Sequence, residues 1–173
     1  MLYSVDKKFH IHKIEKTEAS YKLAKVIAKK TMYEDVPYIF TNDGSCFRYC
    51  DPKIQIHDTV KIDLETRKVV DFISFGADKI AFVTQGENMG RVGVIKHIKE
   101  VDYSDSIITV EDFAQKVFTV PSKALVIIGN TEEDLIISLP SQRGIRLTDL
   151  EKSNIRFGEI VKHEEMEEIE IEG

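Results

Sequence analysis

Tryptophan is absent from this chain, cysteine occurs twice and proline four times. Two cysteines, Cys46 and Cys50, cannot build the disulfide framework of a small secreted domain. A zinc quartet is equally out of reach. Cys46-x-x-x-Cys50 with His57 leaves a tetrahedral set incomplete, and no second Cys or His pair stands at ligand spacing. His10-x-His12 is a bare imidazole pair beside Lys7, Lys8 and Lys13. No metal or other cofactor is expected. Long apolar runs are missing too. The longest, such as 124–128, are far too short to cross a bilayer, and lysines interrupt the opening "MLYSVDKKFHIHKI" at once. No membrane role and a cytoplasmic setting are the expectation.

Charge of one sign is lacking over most of the 173 residues. The net charge is −6. Residues 159–173, "EIVKHEEMEEIEIEG", hold seven glutamates against one lysine and account for all of it. Residues 1–30 carry eight lysines against Asp6, Glu15 and Glu18, a net of +5. The chain is thus basic at its start and acidic at its tail. Phosphate attraction acts through local clusters, so RNA remains a plausible partner without a basic pI. The acidic tail is read as solvated, or as a mask for a basic surface.

Helix signals are sparse. Thr17 in "KTEASYKLAKV" is one candidate N-cap, and Thr148-Asp149-Leu150-Glu151 matches a capping box. Strand signals dominate. "VPYIFTNDGSCFRYC" pairs two β-favouring runs across Asn42-Asp43-Gly44. "KIQIHDTVKIDL" alternates Ile54, Ile56, then Val60, Ile62, Leu64, with His57-Asp58 as the bend. Further strands are expected at 69–75, 79–84, 91–98, 106–110, 117–120 and 124–128. Phe40, Phe47, Tyr49, Phe72, Phe75 and Phe82 sit at strand spacing among aliphatics and read as core, as do Cys46 and Cys50. The pattern predicts a mainly β chain with little helix. It is divided into two small β modules near Gly76.

"AFVTQGENMGRVGVI" places Gly86, Gly90 and Gly93 between two β runs. Phosphate-cradling glycine loops usually open a helix, whereas strand residues follow here. Gly86 and Gly90 are therefore assigned positive φ in a loop, and Gly93 a close backbone approach. The loop reads either as a phosphate or ribose contact, with Asn88, Arg91 and Lys96 beside it, or as a tight structural hairpin.

"VTQGENMGRVGVIKHI" looks like a KOW motif, the loop-strand core of an SH3-like barrel. With "YKLAKV", "DPKIQIHDTVKIDLET" running on to "DFISF", and "ISLPSQRGIRLT", it resembles the small-subunit ribosomal protein family S4e. The four blocks stand in the family's order over residues 1 to about 157, and "GIRLT" looks eukaryotic rather than archaeal. The resemblance implies a central β domain over 1–75, a KOW SH3-like barrel over 76–128, a C-terminal extension over 129–158 and an acidic tail over 159–173. It implies a structural, non-catalytic constituent of the small ribosomal subunit in the cytoplasm. Its partners would be ribosomal RNA and neighbouring ribosomal proteins, with no small-molecule substrate. Family members carry a further basic module ahead of the position of Met1, and the chain is expected to lack it. Gln85 and Glu87 stand where the family has small neutral residues, and Ser141-Gln142 where it tends to be basic.

Candidate RNA contacts are Lys22, Lys25, Lys29 and Lys30 as a basic stripe, Asn88, Gly90, Arg91 and Lys96 at the loop, and Arg143 and Arg146 around Gly144. Each has a plain counterpart: solvated lysines, and for Arg91 an ion pair with a nearby acid such as Glu87. The alternative function is a free KOW-type regulatory module of a transcription or translation factor. No catalytic constellation is present in a recognisable setting.

Overall fold

The computed structural model describes residues 2–5, 8–102, 104–140 and 144–157. Strands β1 (Leu2–Val5) and β2 (Lys8–Ile11) form a hairpin. A first five-stranded sheet holds β3 (Tyr21–Thr31), β4 (Pro37–Thr41), β5 (Cys46–Arg48), β6 (Thr59–Asp63) and β7 (Val69–Ile73), in the order β5-β4-β3-β6-β7. A second holds β8 (Ile80–Val83), β9 (Val92–Lys99), β10 (Ile107–Asp112), β11 (Val117–Pro121) and β12 (Leu125–Gly129), in the order β11-β10-β9-β8-β12. All pairings are antiparallel. The one α-helix among the described residues, α1, covers 149–157. The mainly β expectation holds, and the second sheet is the SH3-like barrel with the KOW stretch at β8–β9.

The long β3 organises the first sheet. Its first half pairs with β6 and its second with β4, with a register shift between Val26 and Ala28. That shift lets one strand serve two partners and curls the sheet. Ala24, Val26, Ile39, Ile54, Val60 and Ile62 fill the resulting core, against Phe47, Val69 and Phe72. Each fully buried aliphatic contributes roughly 1.5–3 kcal/mol. The Asn42-Asp43-Gly44 turn closes β4 onto β5 as expected. Asp43 Oδ1 accepts from the Ser45 N–H at 3.0 Å, and Gly44 takes φ 80°.

Ile95, Ile108, Val110, Leu125 and Ile127 form the core of the second sheet, and Ile73 of β7 packs into it. The two sheets are joined by more than apolar contact. Thr59 Oγ1 accepts from the Ile127 N–H at 3.0 Å. Lys25, 2% exposed, donates through Nζ to the carbonyls of Ser122 and Leu125. Leu135, Ile137 and Leu139 then cover Ile80, Val92 and Ile128.

Several expectations fail locally. Residues 51–58 form turns rather than strand, so Ile54 is 1% exposed and Ile56 47%. The Asp58 carboxylate causes this by accepting from the Gln55 and Phe75 N–H groups, each at 2.7 Å. The bend at His57-Asp58 is present, with His57 at φ 79°. Thr17 starts no α-helix. A single 3-10 turn, Glu18–Ser20, precedes β3, whose pairing with β6 claims Tyr21 onward. Cys46, in β5, is exposed rather than core, whereas Cys50 is half-buried and packs against the first core as expected. Tyr49 leaves the expected core altogether: it takes φ 55° and is 75% exposed. Phe47, Phe72, Phe75 and Phe82 do pack against cores.

Candidate nucleic-acid interface

Between β8 and β9 the glycine loop closes on itself. Gly86 and Gly90 adopt φ 87° and 88°. The Gly90 N–H donates to Val83 O at 2.9 Å, the Met89 N–H to Gly86 O at 3.2 Å and the Arg91 N–H to Asn88 O at 3.1 Å. Both glycines thus take the left-handed backbone that the loop requires. Gly93 supplies the close approach. A Cβ there would overlap the Glu111 carbonyl oxygen of β10 and stand 2.8 Å from Val110 Cγ1.

The loop is braced from below by Arg91. Arg91 is 8% exposed. One terminal nitrogen meets Asp112 Oδ2 at 2.9 Å and the other donates to Asn88 Oδ1 at 3.1 Å. The guanidinium lies 3.7 Å over the Phe118 ring. The ion-pair alternative is the one that forms, with Asp112 in place of Glu87. Desolvation explains the arrangement: a buried guanidinium is tolerable only with a paired charge, which Asp112 supplies, while Arg91 Nε has no hydrogen-bond partner among the described residues.

The C-terminal segment docks onto the same loop. Gly144, at φ 69°, lies against the Gly90 carbonyl, with room for no side chain. Arg146 then donates to Glu87 O at 3.1 Å. α1 begins beside it through the expected capping box. The Glu151 N–H donates to Thr148 Oγ1 at 3.3 Å, and the Thr148 N–H to Glu151 Oε2 at 2.7 Å. Glu151 also takes both bonds from Lys116 Nζ, at 2.6 and 2.7 Å. Lys116 is the main reason its carboxyl is lowered to about 2. Together Arg91, Lys116, Arg146, Thr148, Asp149 and Lys152 line a cleft of about 700 Å³.

The structure therefore gathers Asn88, Gly90, Arg91 and Arg146 at one place, and it adds Lys116 and Lys152, which no local pattern marked. Lys116 reaches the cleft only through the β10–β11 turn, a placement set by tertiary pairing. Arg143, Ser141-Gln142 and the acidic tail lie outside the described residues.

The lysine stripe of β3 disperses. Lys22 pairs with Asp43. Lys25 is turned inward, and burial pushes its ammonium down to about 8. Lys29 donates to Pro52 O and Ile54 O at 2.7 and 2.8 Å, closing the 51–58 turn. Lys30 is exposed. Lys96 on β9 pairs with Glu111 at 2.9 Å.

Residues 1–69 match the family model "Ribosomal family S4e". Among curated proteins, the chain is 38% identical over 156 residues to the small ribosomal subunit protein eS4 of Candida albicans, covering 90% of this chain and 60% of that protein. It is 35% identical over 159 residues to the eS4 protein of Caenorhabditis elegans, covering 92% and 61%. The eS4 protein of Bombyx mori is 38% identical over 157 residues, with 91% and 59% covered. The chain spans about three-fifths of the length of these curated relatives. The fold matches the crystal structure of the 30S ribosomal protein S4e from Thermoplasma acidophilum with a TM-score of 0.62 at 22% identity, over 78% of this chain and 67% of that one. On the matched residues and on these relatives, the chain is similar to the S4e family of ribosomal proteins.

Proposed function

We propose that this chain is a structural constituent of the small subunit of the cytoplasmic ribosome, held against ribosomal RNA and neighbouring proteins, with no catalytic step of its own. The observation that carries this reading is the 35–38% identity to small-subunit proteins over about nine-tenths of the chain. The division at 1–75, 76–128, 129–158 and 159–173 belongs to the same proposal, with the two sheets as its first two units.

The physical content of the binding is phosphate and ribose contact with little reading of base identity. The backbone N–H groups of Gly86, Glu87 and Asn88 form no hydrogen bond among the described residues. They supply donors at the loop tip, flanked by the Asn88 and Arg146 side chains; Arg143 joins the proposal on its sequence alone. Gly90 shapes that tip. Lys30 adds an exposed charge. Lys22 and Lys96 sit in partly exposed, solvent-screened ion pairs, so a phosphate can replace their carboxylate partners at little cost. Lys25, Lys29 and Arg91 serve the interface by holding its scaffold.

Density-gradient sedimentation of a native lysate, following peptides of this chain at low and high salt, tests the reading. Co-migration with the small subunit through high salt is the expected result. A chain that stays at the top of the gradient, or travels with a polymerase, overturns it in favour of a free KOW-type regulatory module.

A further inference from the structure

The first sheet does not close. β5 and β7 are its two edges, and among the described residues they pair with β4 and β6 only. Between them lies a pocket of about 860 Å³. Its lining includes Phe47, Ile54, Val69 and Phe72, all from the first core. Arg48, Tyr49, Arg67 and Lys68 also line it.

Two features separate this rim from an ordinary surface. The cations of the glycine loop and of β9–β12 are mostly committed: Arg91 to Asp112, Lys96 to Glu111, Lys116 to Glu151 and Lys123 to Asp105. Arg48, Arg67 and Lys68 are exposed and have no ion pair or side-chain hydrogen bond among the described residues. Tyr49, alongside them, presents an aromatic ring that is 75% exposed, on a backbone held at φ 55°. Arg67 is likewise held at φ 54°, in the β6–β7 turn that Asp63 braces by accepting from Thr66.

Two carboxylates share the lining. Asp51 Oδ1 accepts from the Lys53 N–H and Asp71 Oδ1 from the Phe72 N–H, each at 2.8 Å. Three cations against two acids leave one net positive charge, enough for one phosphate but a poor track for a duplex. Cations on edge strands also deter edge-to-edge pairing. That role does not need an exposed aromatic ring over an apolar floor, and three-residue β5 offers little ladder for an added peptide strand.

We propose that the open seam between β5 and β7 takes a single unpaired nucleotide of RNA, its base stacked on Tyr49 and its phosphate met by Arg48, Arg67 and Lys68. This rests on the ribosomal-RNA reading above and adds a second contact, on the first sheet and apart from the glycine loop. Stacking on an aromatic ring tolerates any base, so the seam selects unpaired structure rather than sequence.

Fluorescence anisotropy of the full chain with labelled hexauridylate, at salt concentrations of about 50 and 200 mM, reads the site. Tyr49→Ala is expected to weaken binding about tenfold, whereas Tyr49→Phe keeps it. The double variant Arg48→Gln/Arg67→Gln should lower affinity and flatten the salt dependence by about 0.7 in logarithmic slope, one phosphate's worth. All these side chains are exposed, so an unchanged thermal melt establishes that the variants are folded. Absence of hexauridylate binding, or equal affinity for Tyr49→Ala, overturns the proposal. Photocrosslinking of Tyr49 to protein alone within the sedimenting particle overturns it as well. Tyr49-dependent binding by a chain that does not sediment with the small subunit would sink the ribosomal reading and leave the site standing. Sedimentation with the subunit, but hexauridylate binding indifferent to Tyr49, would do the reverse.

Discussion

Gly144 lies against the carbonyl of Gly90, so close that a Cβ on Gly144 would overlap that oxygen and stand 3.1 Å from Arg91 Cα. Two blocks far apart in the sequence, the glycine loop and "GIRLT", thereby become one surface. Both residues hold positive φ, 88° and 69°.

Gly144→Ala is accordingly expected to cost about 2 kcal/mol or more, through left-handed strain and overpacking together. The loss should be local to the docking of 144–157. Hydrogen exchange would show faster exchange at the Arg91 and Val92 amides, with the β3–β6 amides unaffected. Unchanged protection throughout would contradict the docking.

Asp112→Ala removes the carboxylate beside a buried guanidinium and strands the Ala114 N–H, which donates to Asp112 Oδ1 at 2.6 Å. The expected loss is about 3 kcal/mol, seen as a lower urea midpoint. Arg91→Met/Asp112→Leu, which removes both charges, should recover much of it. A single variant as stable as the parent would mean that Arg91 finds solvent.

Lys25 predicts an alkaline signature. Its ammonium is held near 8 by burial, against 10.5 ordinarily. Between those values the unfolded chain binds more protons than the folded one, so this residue's contribution to stability rises with pH from about 8 to about 10.5. Below about 8 both states are protonated and the contribution is flat. Urea unfolding at about pH 7.5 and pH 10, compared with Lys25→Met to cancel other titrations, should show the difference moving in favour of the parent at high pH. A difference that stays constant would place Lys25 in solvent.

At the acid end, Glu151 is the group to watch. Its folded value is lowered to about 2, chiefly by the Lys116 bond. The stabilisation is present above its ordinary value of 4.5 and fades as pH falls toward about 2. α1 should loosen over that window, and Glu151→Gln should remove most of the pH dependence. Thr148→Ala should cost about 1 kcal/mol at neutral pH by removing the cap. Helix-specific hydrogen exchange checks both.

The elements were largely legible because local chemistry specified them. Period-2 alternation marked β6, runs of β-favouring residues marked β8–β12, Asn42-Asp43-Gly44 marked the hairpin, and Thr148 with Glu151 marked the start of α1. Where side chains answered to distant partners, the reading slipped. Ile54 and Ile56 alternate like a strand, yet Asp58 draws the backbone around itself and toward Phe75. Tyr49 shares strand spacing with Phe47, yet β5 ends one residue before it.

The same division separates scaffold from site. Glycine spacing by itself determined where the loop bends, because positive φ and close backbone approach are properties of single residues. The four blocks by themselves carried the resemblance to the family. Only tertiary structure decided which cations remain available to a ligand. A charge in the sequence has no partner until the sheets curl and stack, and then burial compels pairing at Arg91 and carbonyl solvation at Lys25. Arg48, Arg67 and Lys68 stay unpaired because they fall at the open edges of the first sheet, where water or a phosphate can meet them.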